Sequence, residues 1–264
     1  MEKYVLVSGA YGGLGLSTVN SLLNNGYKVI CVDKVINYPN NNTVNFEVDI
    51  TNSNSINDVY DKLVSMNIKL YSIVNLVGIF KMDSLLEGSV DLMRTTIEVN
   101  FLGIYALTQK LIQLLEKCGK IINCTSELAG YSAIPFNSFY TLSKVIYDNY
   151  SDTLRRELNY LGYKVVKVHS GSFKTGLIGN ASASYDELYE KTKFYKKQFD
   201  KLKHLMTNEL EKTNDPKKFG KLILKIINKK NPKIKYNIKR SLKLRLMSSL
   251  PEKLQDKLYK IYVK

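Results

Sequence analysis

Short runs rich in β-branched residues alternate along the chain with segments of helical period, and this alternation constrains the fold more than any other feature. The runs are YVLVSG from Tyr4, KVICVD from Lys28, TVNFEV from Thr43, LYSIVNLVG from Leu70, KIINCT from Lys120 and KVVKVHSG from Lys164. Helical patterns fill 13–25, 53–66, 85–116 and 138–161. Apolar runs this short, separated by helices, pair in parallel through right-handed crossovers. Their unbroken hydrophobicity predicts burial on both faces of a doubly wound sheet.

After Thr175 the pattern changes. Residues 185–211 space Leu188, Tyr195, Phe199, Leu202, Met206 and Leu210 as the stripe of one amphipathic helix. A helix is expected after Asp215-Pro216, then a further strand, then a final short helix in SSLPEKLQDKLYKIYVK. With 264 residues, the chain suits a single core, one domain over 1–264, with an elaborated end. No window approaches the ~18 apolar residues of a membrane span. The first strand-like stretch, KYVLVSG, begins at Lys3, which leaves no room for a signal peptide and predicts a cytoplasmic protein. Cys31, Cys118 and Cys124 lack metal-ligand spacing and read as small buried thiols. No metal is expected.

The net charge of +15 is unevenly placed. Residues 1–190 carry 16 Lys+Arg and 18 Asp+Glu, whereas residues 191–264 carry 23 and 6. An excess confined to 191–264 fits a solvated basic face or a peripheral contact with an anionic membrane. Nucleic acid is not expected, because the lysines are not clustered around stacking aromatics.

The stretch VLVSGAYGGLG sets Gly9, Gly13 and Gly15 between the first strand and the first helix. Glycine there permits a positive-φ turn and close approach of a pyrophosphate, and the helix start offers free N–H groups. Asp33 ends the second strand, where a carboxylate accepts ribose hydroxyls and repels a 2′-phosphate, favouring NAD over NADP. Lys34 beside it could offset that repulsion and keeps NADP open. Asp49 closes the third strand, where it either faces an adenine edge or caps a helix.

Five motifs in order make the chain resemble the short-chain dehydrogenase/reductase family: SGAYGGLG at 8–15, NLVG at 75–78, VNFLG at 99–103, YTLSK at 140–144 and SGSFKT at 170–175. The resemblance runs from about Lys3 to Thr175. It implies a Rossmann-type α/β sheet of about seven strands, with a helical substrate lid over 176–211 and a basic C-terminal region over 212–264. The implied reaction is hydride transfer between NAD(H) and a carbonyl or secondary alcohol. The implied catalytic residues are Tyr140 as acid and base, Lys144, Asn100 as holder of a relay water, and Ser126. The implied cofactor contacts are Gly9, Gly13, Leu14, Gly15, Asp33, Asp49, Ile50, Asn75, Gly78, Tyr140, Lys144, Gly171 and Thr175. A phenol titrates near pH ~10, and an ammonium four residues along the same helix face favours its anion.

The family's Ser-to-Tyr spacing lands on Glu127 rather than on Ser126. A fixed carboxylate there would repel a developing alkoxide. One reading has the loop absorb an extra residue, so that Ser126 supplies the hydroxyl and Glu127 turns outward or meets a cationic or hydroxylated part of the substrate. Another keeps Glu127 in place, protonated or binding an amine. A third is a nucleotide-binding regulatory or scaffold protein with impaired chemistry. Leu76 and Val77 also depart from the family pattern and should loosen local hydrogen bonding rather than block cofactor, and Ser170, in place of a proline, should give a slightly more flexible lid hinge. The aromatic and aliphatic stripe of the lid suits an apolar alcohol or ketone, lipid-, steroid- or acyl-like, or else packs on the core. Family members pair through helices corresponding to 85–116 and 138–161, which implies a homodimer or homotetramer.

Overall fold

Leu6, Ile30, Ile73, Ile121 and Val165 point to one face of a single sheet, while Val5, Val7, Val29, Val74, Ile122 and Val166 point to the other. The computed structural model describes residues 2–37, 39–131, 133–211 and 213–262, without side chains at 178–180, 204–211 and 262. Seven strands, β1 (Tyr4–Ser8), β2 (Lys28–Asp33), β3 (Thr43–Glu47), β4 (Leu70–Asn75), β5 (Leu115–Cys124), β6 (Lys164–Ser170) and β7 (Lys235–Ile238), pair in the order β3-β2-β1-β4-β5-β6-β7. Every pair is parallel. The order reverses beside β1, which opens a crevice beyond the carboxyl ends of β1 and β4.

One face is covered by α2 (Ser53–Ser65), α4 (Gly103–Leu111) and α5 (Ser138–Asn159), the other by α1 (Gly13–Leu23) and α8 (Lys217–Asn228). At Gly220 an added Cβ would lie 2.3 Å from the Ser17 carbonyl, so α8 seats against α1 at backbone distance. A buried polar line crosses the sheet: Ser8 Oγ donates to Asn75 Oδ1, Asn75 Nδ2 donates to Asn123 Oδ1 at 3.0 Å, and Asn123 Nδ2 donates to Ser151 Oγ at 2.9 Å. Buried amides are tolerated only when satisfied in this way.

Two of the helical patterns need correction. The 85–116 pattern is not one helix: α3 (Val90–Ile97) passes through a π-turn, Glu98–Leu102, into α4, and Leu115 already belongs to β5. The stripe of 185–211 falls on two helices, α6 (Gly176–Lys191) and α7 (Lys196–Glu211). They break where the Glu87 carboxylate accepts from Thr192 Oγ1, the Lys193 N–H and the Phe194 N–H. The stripe packs inward, with Tyr185, Leu188 and Phe199 buried around Met82; the side chains of Met206 and Leu210 lie outside those described. The final short helix expected in 248–264 is α10 (Glu252–Tyr262), and a further helix that the pattern did not announce, α9 (Leu242–Ser248), precedes it. Of the cysteines, Cys31 and Cys124 are buried as expected, but Cys118 is exposed, at a positive-φ position within β5.

Candidate active site

Gly9 adopts φ +71, a conformation costly for residues with a Cβ, and an added Cβ would sit 2.9 Å from the Val77 nitrogen. At Gly15 the same atom would lie 2.0 Å from the Gly9 carbonyl oxygen, and at Gly13 2.6 Å from Thr175 Cγ2. The turn is therefore a cradle that side chains would fill, and Thr175 closes it from the far end of the sheet. Gly12 precedes α1 without a side-chain cap, and no acidic residue stands in the first turn, so the helix start presents bare N–H groups. Leu14 packs half-buried into the α1 side of the core. These residues fit a dinucleotide pyrophosphate.

Asp33 Oδ2 accepts from the Tyr11 N–H at 2.8 Å, and Oδ1 accepts from the Lys34 N–H. The Lys34 ammonium reaches Asp49 instead, 2.8 Å from Oδ2, and with Thr51 holds the Asp49 carboxyl down to about 2. Ile50 is buried beneath Gly103, where an added Cβ would meet it at 2.7 Å. Asn75 is wholly buried, and its amide also donates to Thr108 Oγ1 at 3.1 Å; it knits β1, β4 and β5 rather than facing the crevice.

Tyr140 and Lys144 share one face of α5. The Lys144 ammonium lies 5.6 Å from the Tyr140 ring centroid and 5.6 Å from that of Tyr147. Gly78 makes room for it: an added Cβ would be 3.1 Å from Lys144 Nζ. Asn100 sits in the π-turn, fully buried, with Oδ1 accepting from the Ile79 N–H at 2.7 Å and Nδ2 donating to the Ile79 carbonyl and Ser143 Oγ, each at 3.0 Å. Its amide clamps the segment after β4 and thereby fixes Gly78 against Lys144. π-Turns often occupy functional positions, and nothing in the residue types of VNFLG signals one.

Phe80 packs edge-on against Tyr140, centroids 5.1 Å apart. Burial raises the Tyr140 phenol, the neighbouring Cys124 adds to the rise, a hydrogen bond with Ser126 opposes it and the Glu127 charge adds to it again. The expectation that Lys144 makes this phenol acidic is thus outweighed by burial. Burial likewise lowers Lys144, with Cys124 opposing. Phe80 and Cys124 carried no signal in the sequence, because each reaches the site only through the fold.

Ser126 is buried beside Tyr140, and its Oγ also accepts from the Leu128 N–H at 3.2 Å, capping a 3-10 turn over Glu127–Gly130. Glu127 is buried as well and does not face solvent. Its Oε2 accepts from the Ser241 N–H at 2.6 Å, at the start of α9, and its Oε1 lies 3.1 Å from where a Gly171 Cβ would be. Gly171 N–H in turn donates to the Ile238 carbonyl at 2.9 Å. Glu127 therefore joins the loop carrying Ser126 to the C-terminal region. Among the described residues no three His, Cys, Asp or Glu side chains gather as a metal site.

A model of the short chain dehydrogenase family matches residues 3–186. The chain belongs to that family. As a short-chain dehydrogenase it is an oxidoreductase, and its fold has counterparts among solved structures. It is 29% identical over 234 residues to a 3-ketodihydrosphingosine reductase of Bacteroides thetaiotaomicron, covering 87% of this chain and 85% of that one. It is 30% identical over 252 residues to a 3-amino-tetrahydro-pyrrolizinone reductase of Xenorhabdus hominickii, covering 90% and 87%. A 3-ketoacyl-(acyl-carrier-protein) reductase from Brucella melitensis, solved with NADH, superposes on this short-chain dehydrogenase with a TM-score of 0.71 at 18% identity, covering 89% of this chain and 96% of that one, and at this identity shows the fold alone.

Proposed function

We propose that the protein reduces the ketone of an apolar molecule, using NADH as hydride donor. The convergence of Tyr140, Lys144 and Ser126 on one side of the glycine cradle carries the reading. The bound coenzyme supplies the hydride. Ser126 Oγ orients the carbonyl oxygen, and the Tyr140 hydroxyl donates the proton as charge develops on it. A phenol kept protonated by burial is in the form that reduction requires at neutral pH, and so favours that direction over oxidation. Lys144, held by Gly78 and the Asn100 clamp, sits where it favours the phenolate left after donation.

NADH is preferred because Asp33 keeps its carboxylate at the ribose position while Lys34 is drawn off to Asp49. Phe80 beside Tyr140 and the lid of α6 and α7 support an apolar substrate, as does the relative named for reducing 3-ketodihydrosphingosine. Leu102, Tyr105, Leu142, Val145 and Ile146 are exposed on the π-turn, α4 and α5, which supports pairing of copies through that face. The test is a panel of long-chain, acyl and steroid-like ketones with NADH and NADPH, read as loss of reduced-coenzyme absorbance. Turnover of an apolar ketone with NADH is expected. Tight NADH binding with no turnover across the panel would overturn the reading in favour of a catalytically impaired nucleotide-binding scaffold.

A further inference from the structure

Lysine-rich amphipathic helices recur in the last third of the chain, and the structure separates them. In α8 the apolar stripe of Phe219, Ile223, Ile226 and Ile227 is wholly buried in the α1 side of the core, so its lysines form an ordinary solvated face. In α9 and α10 the stripe points outward. Leu242 is 67% exposed, Leu246 59%, Leu254 41% and Ile261 60%. Leu242 and Leu246 are one turn apart, and Leu254 and Ile261 two turns apart, so each pair shares a helix face. Residues 239–262 hold seven Lys and Arg against Glu252 and Asp256, and Lys239, Lys243, Arg245, Lys253, Lys257 and Lys260 are exposed around those leucines.

We propose that α9 and α10 form a docking surface for an anionic lipid membrane, with Leu242, Leu246, Leu254 and Ile261 entering the interface and the surrounding lysines and arginines meeting acidic headgroups. Exposed apolar side chains ringed by one sign of charge match a surface that is apolar beneath and negative above. No helix among the described residues is long and apolar enough to cross a membrane, so contact through this face is peripheral. The surface also adjoins the catalytic loop, since Leu242 follows Ser241, whose N–H is held by Glu127. A substrate leaving the lipid there meets the crevice without crossing water. Docking is read without turnover, so it stands apart from the reaction proposed above.

The test is co-sedimentation of the full chain with vesicles of phosphatidylcholine alone and with added phosphatidylglycerol, at low and high salt. Two variants accompany it: Leu242→Ser with Leu246→Ser, and Lys253→Gln with Lys257→Gln and Lys260→Gln. All five side chains are exposed, and unchanged NADH affinity and thermal melting confirm folding. Expected are pelleting with the phosphatidylglycerol vesicles at low salt, loss with phosphatidylcholine alone or at high salt, and weakening of at least about tenfold in each variant. Absent pelleting at low salt would overturn the proposal, as would pelleting indifferent to both variants. So would a dimer in sedimentation velocity that the leucine variant dissolves, which would give this face to a second copy, or retention on nucleic acid with none on vesicles.

Discussion

The two walls of the crevice are built by different means. The wall proposed for the nucleotide, from Gly9 to Asp33, is set by backbone: turns that exclude a Cβ, and the Tyr11 and Lys34 N–H groups that hold the Asp33 carboxylate. The wall proposed for substrate, from Ser126 through Tyr140 to Ser241, is made mostly of side chains from the segment after β4, from β5 and the turn after it, and from α5, closed by a backbone N–H at the start of α9. The first wall is set by which residues tolerate a conformation, and the second by what happens to pack beside them. Binding and chemistry should accordingly be separable by substitution.

The sharpest separation is Tyr140→Phe. It removes one hydroxyl at the crevice, leaves Phe80 its edge-on partner, and touches nothing in the glycine cradle. Ketone reduction should fall by about 10³-fold, within the range of a lost general acid. NADH affinity should change by no more than about twofold, since only a group acting in the transition state is gone. In the unaltered protein the pH profile checks the same group. Because burial raises the phenol, reduction should hold level through neutral pH and decline only on the alkaline side as the proton is lost, while oxidation of the alcohol should rise with pH. A reduction rate that already falls between pH ~6 and ~8, below the ordinary phenol range, would break the assignment.

Asp33→Ser should do the converse. Serine keeps an acceptor for the Tyr11 N–H but removes the charge that opposes a 2′-phosphate. A like-charge contact costs several kcal/mol, so the ratio of kcat/KM for NADH over NADPH should drop by about 10- to 100-fold, with kcat on NADH nearly unchanged. An unchanged ratio would mean that the Lys34 and Asp49 pair, 2.8 Å apart, does not keep the lysine out of the ribose site.

The same contrast explains what the sequence made legible. Strand order and the two core faces follow from apolar runs of strand length, because both faces of a parallel sheet must be filled. Gly9 and Gly15 are legible for a local reason, since a turn at φ +71 and a contact at 2.0 Å with the Gly9 carbonyl leave room for hydrogen alone, whereas Gly13 makes room for the distant Thr175. The stripe of 185–211 was misread as one helix because Glu87, far away in the chain, captures the N–H groups at 193 and 194. Helical period is blind to such a competitor. Asn100 was legible as a site residue, but the bonds of its amide to Ile79 and Ser143 were not, because the π-turn creates that arrangement. Glu127 was legible as a departure, but its partner, a backbone N–H more than a hundred residues on, was not.

Glu127 offers the smallest effect and the one most informative about the substrate wall. Its carboxylate braces the loop carrying Ser126 against Ser241, a charge-assisted bond to a backbone donor. Glu127→Gln keeps an oxygen for that donor, whereas Glu127→Ala removes it, so stability should fall by about 1.5–3 kcal/mol in the alanine variant and by less than half of that in the glutamine variant. Loosening of the loop should raise KM for the ketone several-fold more than it lowers kcat. The charge itself has a separate signature. Glu127 helps to raise the Tyr140 phenol, because like charge disfavours the phenolate, so the glutamine variant should begin its alkaline decline in reduction at slightly lower pH than the unaltered protein. Glutamine that leaves stability intact yet abolishes turnover would place the carboxylate on the substrate. The brace would then be only part of its role, and the substrate wall would owe its specificity to a charge rather than to packing.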